Sequence, residues 1–498
     1  MTNKSKKYTR LALASLVCSA MMVSCKKWID VMPQTEIRDD AFFSKQSGFT
    51  NALNGVYLSM GNPAMYGREM TCGIVDVLGQ MYTLRSSFGA QVYIDAQSYS
   101  YTQPAVQGIT DAIWTNTYNT IANLNSIIEN FEKVDSSIFI PGNYSLLKGE
   151  AYALRGFLHF DLARLYAPSY LAGRTSPAIP YVTEFRPQAV PKSTVDVVMQ
   201  KVLADLIKAD SLLKNDPIGR PDATPAILTD RRQKMNMYAV KATLARVYLW
   251  IGDNEKALNY AQQVITAAVQ KFPWISRGVV ATTSEDARNR IFSNEIIFNL
   301  QVTNLASNIK TATFSLDTAA GIGGGRSTAL NIVDYTRAYE QYETSATNGG
   351  TGGTDLRWLY LIRKYTTTTT PVSSTFYSKL YQYTAMPVDA SRRMPMLRIS
   401  EMYYIAAESL KQTNRSDAIG YLNQVRTYRG LAQLSESLTE EQLDQEIFKE
   451  YRKEFPLEGQ MFFYYKRLDK ISIPGAPATF DKAKYVVPLP QNEIEFGG

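Results

Sequence analysis

Two stretches of this 498-residue chain repeat one spacing. In 237–265, Ala245 is followed by Tyr248, a turn at Gly252-Asp253-Asn254, then Ala257, Ala261 and Val264. In 399–426, Ala406 is followed by Ser409, a turn at Thr413-Asn414, then Ala418, Leu422 and Val425. The offsets from the first alanine are +3, +12, +16 and +19 in both stretches. Alanines at the first and +12 positions let two antiparallel helices approach closely. A helical hairpin of this size cannot cover its own apolar face, so such units are stable only when stacked on neighbours.

Other stretches carry the same helical period. Asp39 or Asp40 caps a helix reaching Met60, with Phe42, Phe49, Leu53, Val56 and Tyr57 on one side. Residues 110–131 place Ile113, Trp114, Tyr118, Ile121, Leu124, Ile127 and Ile128 on an apolar face, and 146–166 form their partner, ending before Pro168. Ser193 caps a further amphipathic helix through Leu213. Two segments break the rhythm. Residues 61–110 read as a long irregular excursion with short strands, and 270–395 contain glycine clusters and a threonine run. The second segment also holds Ile296, Phe298, Leu300, Tyr335, Trp358, Leu359, Leu361 and Tyr381, enough apolar residues for a subdomain rather than a linker. Its glycines lack the Lys-Ser/Thr of a phosphate loop. The expected fold is therefore mainly α, a tetratricopeptide-like helical-hairpin scaffold with long irregular loop and short-strand insertions. Its parts are an N-terminal helical part over 39–269 with the excursion 61–110, and a C-terminal part over 270–498 with the insertion 270–395.

The chain opens with Lys4, Lys6, Lys7 and Arg10 ahead of an apolar run, Leu11 to Ser24, which reads as a secretory leader over 1–24 and is too short for a spanning helix. Cys25 follows directly, and the junction resembles a bacterial lipoprotein cleavage site. Cys25 would become an acylated N-terminus, and 25–38 a lipidated tether. Each buried methylene of acyl chain contributes about 0.8 kcal/mol, so a multi-chain anchor is effectively permanent. The alternative is an ordinary cleaved leader with a chance cysteine.

Composition excludes several chemistries. The leader takes four basic residues and no acidic one from a total of 53 Lys+Arg and 46 Asp+Glu, so the remainder is nearly neutral and carries no nucleic-acid footprint. With Cys25 acylated, Cys72 has no disulfide partner. A single histidine, His159, excludes the usual Cys/His zinc sites. It also confines Ser-His-Asp or Cys-His catalysis to that residue, which lies beside the apolar stripe of its helix and reads as a packed structural group. Tyrosine dominates the aromatics, with 32 Tyr against 20 Phe and 5 Trp. A ring with a polar tip suits wet recognition surfaces.

Several motifs, in order, resemble the SusD/RagB family of outer-membrane nutrient-binding lipoproteins of Bacteroidota. They begin with Cys25-Lys-Lys-Trp-Ile-Asp-Val-Met-Pro leading to Phe42-Phe43, then Ala151-Tyr-Ala-Leu-Arg155 running to Tyr166, and Ala242-Thr-Leu-Ala-Arg246. They continue through Leu397-Arg398 to Glu408, Leu422 to Arg426, Glu450-Tyr-Arg452-Lys-Glu454 to Gly459, and Tyr485 to Glu493. Tyr451 and the run Phe462-Phe463-Tyr464-Tyr465 depart from the family's usual pattern. Read without the family, Arg155, Arg246, Arg398 and Arg426 sit beside Glu150, Asp161, Glu401 and Glu408 as helix-bracing ion pairs.

The resemblance implies a SusD-like α-α superhelix, lipid-anchored in the outer membrane at the cell surface. It also implies a SusC-like TonB-dependent transporter as partner, and capture of an oligosaccharide or, in some branches, a peptide. It implies no catalytic residue, cofactor or metal. A sugar site needs aromatic faces with hydrogen-bonding side chains beside them, and the irregular segments are where such groups are free to face a ligand. The candidates are Asp76, Tyr82, Arg85, Phe88, Tyr93 and Tyr101 from the first excursion, with Trp274 and Trp358 from the second. Trp114 is set aside because it lies on the apolar face of a helix. The competing readings are a surface glycosidase with two carboxylates and a protein-binding adaptor.

Overall fold

The computed structural model of the chain describes residues 39–81, 83–84, 91–186, 188–284, 287–311, 328–329, 353–366, 373–377 and 392–497. The leader, Cys25, the tether and the glycine clusters lie outside the described residues.

Nine helices of twelve residues or more form the frame among the described residues: α1 Gln46–Met60, α2 Pro104–Phe131, α3 Asn143–Tyr166, α4 Val195–Leu212, α5 Met237–Ile251, α6 Asn254–Lys271, α7 Ile399–Leu410, α8 Arg415–Tyr428 and α9 Glu440–Glu454. Neighbours in sequence pack as antiparallel pairs, α2 on α3, α3 on α4, α5 on α6 and α7 on α8, while α6 lies against α7 and joins the two repeated hairpins. Both repeats form as their spacing requires. Ala245, Ala257, Ala261, Ala406 and Ala418 are fully buried, so the helix backbones meet where side chains are smallest. The turns carry the caps that the sequence placed there. Gly252 takes φ 82° to end α5, and Asp253 accepts from Lys256 N to start α6. Asn414 accepts from Asp417 N to start α8.

The pairing of α3 with α4 uses glycine for the same purpose. A Cβ at Gly149 would stand 2.8 Å from Leu213 Cγ, and one at Gly156 would stand 3.2 Å from Leu206 Cγ. Leucines on α4 and at its C-terminal end therefore occupy the space those two residues leave open.

Several boundaries differ from the periodic reading. The first helix is broken into Asp39–Phe42 and α1, so that Phe43 can turn inward against Phe49 at 4.8 Å; Lys45, not Asp39 or Asp40, stands at the N-terminus of α1. Helix α2 begins at Pro104, six residues earlier than the apolar pattern showed, because its first turn is mostly solvent-facing and proline suits a helix start. Thr194, not Ser193, caps α4 by accepting from Val197 N. The excursion 61–110 contains two short helices, Ile74–Leu78 and Gln91–Gln97. The first is buried on every side, so it has no amphipathic period to read.

Among the described residues the strands are short and pair in twos. They are β1 Thr83–Leu84, β2 Pro177–Pro180, β3 Lys192–Thr194, β4 Ile296–Gln301, β5 Thr328–Ala329, β6 Ile362–Thr366, β7 Ser373–Tyr377 and β8 Arg393–Arg398. The pairs β1 with β5, β2 with β3, β4 with β8 and β6 with β7 are all antiparallel. The β4–β8 pair aligns Ile296 with Arg398 and Gln301 with Arg393. It thereby closes both ends of the insertion onto the main core, and its Ile296, Phe298 and Leu300 belong to that core. A second, small core of Ile275, Val280, Phe292, Leu356 and Leu361 lies beside it. Among the described residues no helix is long and apolar enough to cross a membrane.

Candidate functional site

The C-terminal end of α8 and the start of the insertion meet in an aromatic corner. Trp274 follows α6 by three residues and lies parallel to Tyr428, the last residue of α8, with ring centroids 4.9 Å apart and planes 16° apart. Tyr403 of α7 packs on the same indole at 5.1 Å and 53°, and Tyr421 packs on Tyr403 at 6.0 Å. Burial pushes the Tyr403 hydroxyl to a higher pKa, so it stays protonated and able to donate. Gln262 Nε2, exposed on α6, donates to the Tyr421 hydroxyl at 3.0 Å. Trp274 is half-buried and Tyr428 is 40% exposed, so the stack is anchored inside and open at its outer ring.

What holds the corner is charge. Arg429, fully buried, sits 5.3 Å from the Trp274 ring centre and 4.2 Å from that of Phe292. Its guanidinium reaches Glu295 at 2.5 and 2.9 Å and Glu454 at 2.6 and 3.0 Å. Burial lowers and these two carboxylates raise its pKa, and the carboxylates win, so the cation is permanent. The helix Leu356–Leu361, which carries Trp358, is tied to the same place: Leu356 N donates to Arg429 O at 2.9 Å. Trp274 and Trp358 thus come from elements that both meet Arg429, and Trp358 is half-buried.

The first-excursion candidates divide in two. Tyr82, Arg85 and Phe88 lie outside the described residues. Asp76, Tyr93 and Tyr101 are turned inward, against the expectation of a ligand surface. Asp76 is fully buried and its carboxylate accepts from Leu457 N at 2.6 Å and Gly459 N at 2.9 Å. It fixes a turn in which Leu457 and Gly459 both take φ 67°, where a Cβ on Gly459 would stand 2.5 Å from Met70 O. The Tyr93 hydroxyl donates to Glu69 at 2.8 Å and that of Tyr101 to Lys484 O at 2.7 Å. Sequence reading could not separate these tyrosines from surface ones, because an irregular segment gives no period from which to infer a buried face. It also missed Tyr403, Tyr421 and Tyr428. The signal available was the position of Tyr428, two residues beyond Arg426 at the end of a repeat helix, where side chains face the insertion.

The paired arginines are structural, but their partners lie across helices and not along them. Arg155 of α3 makes a two-pronged pair with Asp205 of α4 at 2.7 Å for both contacts, and Arg246 of α5 does the same with Glu401 of α7 at 2.6 and 2.7 Å. Glu150 instead holds Arg231, and Glu408 holds Arg467. His159 is buried between Tyr181, stacked at 3.9 Å, and the backbone. Val182 N donates to its Nε2, so Nδ1 carries the proton and donates to Arg155 O. Burial lowers its pKa to about 3, which keeps the ring neutral. Cys72 is buried, and its thiol is pushed up to about 12 by burial and by Asp76 and Glu69, which makes it unreactive.

A family model described as starch-binding associating with outer membrane matches residues 27–249, and the SusD family model matches residues 245–485. The chain belongs to the SusD/RagB family. Solved SusD structures share its fold. A SusD superfamily protein from Bacteroides thetaiotaomicron is 20% identical with a TM-score of 0.71, over 91% of this chain and 98% of that one. A SusD-like carbohydrate binding protein from Bacteroides vulgatus is 19% identical with a TM-score of 0.70, over 91% and 96%. A second Bacteroides vulgatus SusD superfamily protein is 21% identical with a TM-score of 0.70, over 91% and 97%. Among curated proteins none matches the chain significantly. At these identities the likeness concerns the mainly helical, tetratricopeptide-like fold and does not transfer a ligand.

Proposed function

We propose that this SusD/RagB protein is a non-catalytic glycan-binding lipoprotein of the outer membrane. It is held at the cell surface through Cys25 and captures an oligosaccharide for a TonB-dependent transporter. The observation that carries the binding reading is the Trp274–Tyr428 stack, a flat ring pair with its outer member 40% exposed and its inner member fixed by Tyr403 and Arg429. A pyranose offers C–H faces to such a ring, and Gln262 beside Tyr421 supplies an amide for a hydroxyl. Trp358, whose helix is tied to Arg429 through Leu356 N, belongs to the same proposed surface. The nearest carboxylates, Glu295 and Glu454, are fully buried and taken by arginines, which leaves this corner without a free acid pair among the described residues.

Calorimetric titration of the purified protein with neutral oligosaccharides, α-glucans included, and with peptides of matched size tests the reading. Saturable oligosaccharide binding is expected. Tyr428→Ala is expected to weaken it about tenfold, equivalent to about 1.4 kcal/mol, with an unchanged melting temperature. Binding of peptides alone would move the protein to the peptide branch, and turnover of a polysaccharide by washed protein would overturn the non-catalytic reading. For the anchor, labelled fatty acid should enter the wild type and not Cys25→Ala, whose product should leave the membrane fraction.

A further inference from the structure

On α2, Asp111, Trp114 and Tyr118 follow one another at helical spacing and face a cavity of about 480 Å³. Its opposite wall is the helix Gln491–Phe496, which contributes Glu493, and the segment around Gln188 to Val190 closes one side. The aromatic wall is rigid. Trp114 packs on Tyr118 at 4.7 Å and edge-on to Tyr166 at 5.0 Å. The Tyr118 hydroxyl donates to Pro180 O at 2.7 Å, so its polar end is spent on the protein. Trp114 is therefore both a core residue, as its helical position implied, and part of a cavity wall.

The fully buried acids among the described residues are met by arginine, lysine or tyrosine or, at Asp76, by backbone N–H groups, whereas the half-buried Asp111 and Glu493 have no ion-pair partner among the described residues. Of the Glu493 carboxylate, Oε1 is turned against Gly497 and shielded from solvent, so it does not serve the cavity. Burial raises the pKa of both carboxyls, with distant Lys192 offsetting only part of the effect at Glu493. A cavity within the usual ligand-site range of about 300–1,000 Å³ here combines fixed aromatic rings with two carboxyls that form no ion pair among the described residues. A protonated amine suits such a lining, with N–H donors for the carboxylates and positive charge against the ring faces.

We propose that this cavity is a second ligand site, separate from the Trp274 corner, for a small polar molecule bearing a protonated primary amine. Its volume suits a monosaccharide or a single amino acid, and either an amino sugar or an amino acid derivative carries the required group. Asp111 and Glu493 receive the ammonium, while Trp114 and Tyr118 flank it. Asn119 and Gln188, also on the lining, are placed for the hydroxyl or amide remainder of such a ligand.

The test titrates the purified protein with glucosamine, lysinamide, N-acetylglucosamine and glucose, reading heat and tryptophan fluorescence. At least one amine is expected to bind about tenfold or more tightly than both neutral sugars. Glucosamine alone would identify an amino sugar, and lysinamide alone an amino acid derivative. Asp111→Asn and Glu493→Gln keep size and are each expected to weaken amine binding about tenfold, while Trp114→Phe should abolish the fluorescence response and Tyr428→Ala should leave amine binding unchanged. Equal binding of amines and neutral sugars, binding of none below about 10 mM, or wild-type affinity in the double Asp111→Asn, Glu493→Gln variant would overturn the proposal. If Tyr428→Ala removed amine binding, the cavity would not be a separate site, and the proposal would fail without touching the glycan reading.

Discussion

The two halves of the helical frame bury charge in different ways. In the N-terminal half the buried arginines Arg155, Arg164 and Arg231 each meet one or two carboxylates, and tyrosine hydroxyls share those acceptors. Asp205 takes Arg155 on both oxygens and also the Tyr181 hydroxyl at 2.6 Å, while Glu150 takes Arg231 and the Tyr57 hydroxyl at 2.9 Å. In the C-terminal half the charges are pooled. Arg357, Arg398, Arg426, Arg429 and Lys453 face Asp355, Glu295, Glu450, Glu454 and Glu458, so the named charges cancel one for one. Glu450, Glu454 and Glu458 are one turn apart, which puts three carboxylates on a single stripe from the end of α9 into the following turn. Surrounding arginines hold Glu454 well below the usual carboxylate range despite its burial, with Arg429 and Arg398 contributing most. Separate pairs fix neighbouring helices two at a time. The pooled network instead joins α8, α9, β8, Glu295 and the Trp358 helix in one rigid block beneath the aromatic corner.

If that contrast is real, a single neutralisation should be far more damaging in the pool. Glu454 accepts from Arg357, Arg398 and Arg429 at once, so Glu454→Gln leaves one excess positive charge among fully buried guanidiniums and turns an amide donor toward one of them. The expected loss is about 4 kcal/mol or more in urea denaturation. The Trp274 fluorescence environment should change as well, since Arg429 supports that ring. A loss under about 1 kcal/mol would show that the network relaxes like separate pairs.

The same comparison explains what could be read from the sequence. The repeated hairpins were legible because close packing demands small residues at fixed offsets, and Ala245, Ala257, Ala406 and Ala418 occupy them fully buried. The arginines were legible as structural but not in their pairing. Arg155 finds Asp205, fifty positions away, because α3 and α4 meet there, and a local acid such as Glu150 points elsewhere. Of the candidate residues that are described, Trp274 and Trp358 lie at the proposed corner, while Tyr82, Arg85 and Phe88 lie outside the described residues. Asp76, Tyr93 and Tyr101 have the composition of a recognition loop, yet their polar tips satisfy buried backbone and Glu69, a matter of long-range contacts that no local pattern records.

A smaller effect is expected from the matching change in the N-terminal half. Asp205→Asn keeps an oxygen for Arg155 or Tyr181, and Arg155 retains Asn125 Oδ1 at 3.1 Å and Thr183 O at 3.4 Å. The loss should be about 2 kcal/mol in the same denaturation experiment. A loss equal to that of Glu454→Gln would erase the distinction between paired and pooled charge.

The finest test uses pH, because the two halves titrate in different windows. His159 has a folded pKa lowered from 6.5 to about 3, since burial disfavours the charged ring and Val182 N already occupies Nε2. The folded state therefore binds fewer protons than the unfolded state between those values. The stability from keeping this ring neutral is complete above pH 6.5 and falls as the pH drops toward about 3, by up to about 1.4 kcal/mol per pH unit. Glu450 and Glu454 also have lowered folded pKa values, but their contribution is complete above the ordinary glutamate value of 4.5 and begins to fall only near it. Between pH 6.5 and 4.5 the N-terminal histidine is thus the distinguishing group, and His159→Gln should flatten the slope of unfolding free energy there whatever it does to the absolute value. An unchanged slope in that variant would mean that His159 is protonated in the folded protein. The neutral ring that links Arg155 O to Val182 N would then be wrong, and with it the placement of the N-terminal half's acid sensitivity at this one buried imidazole.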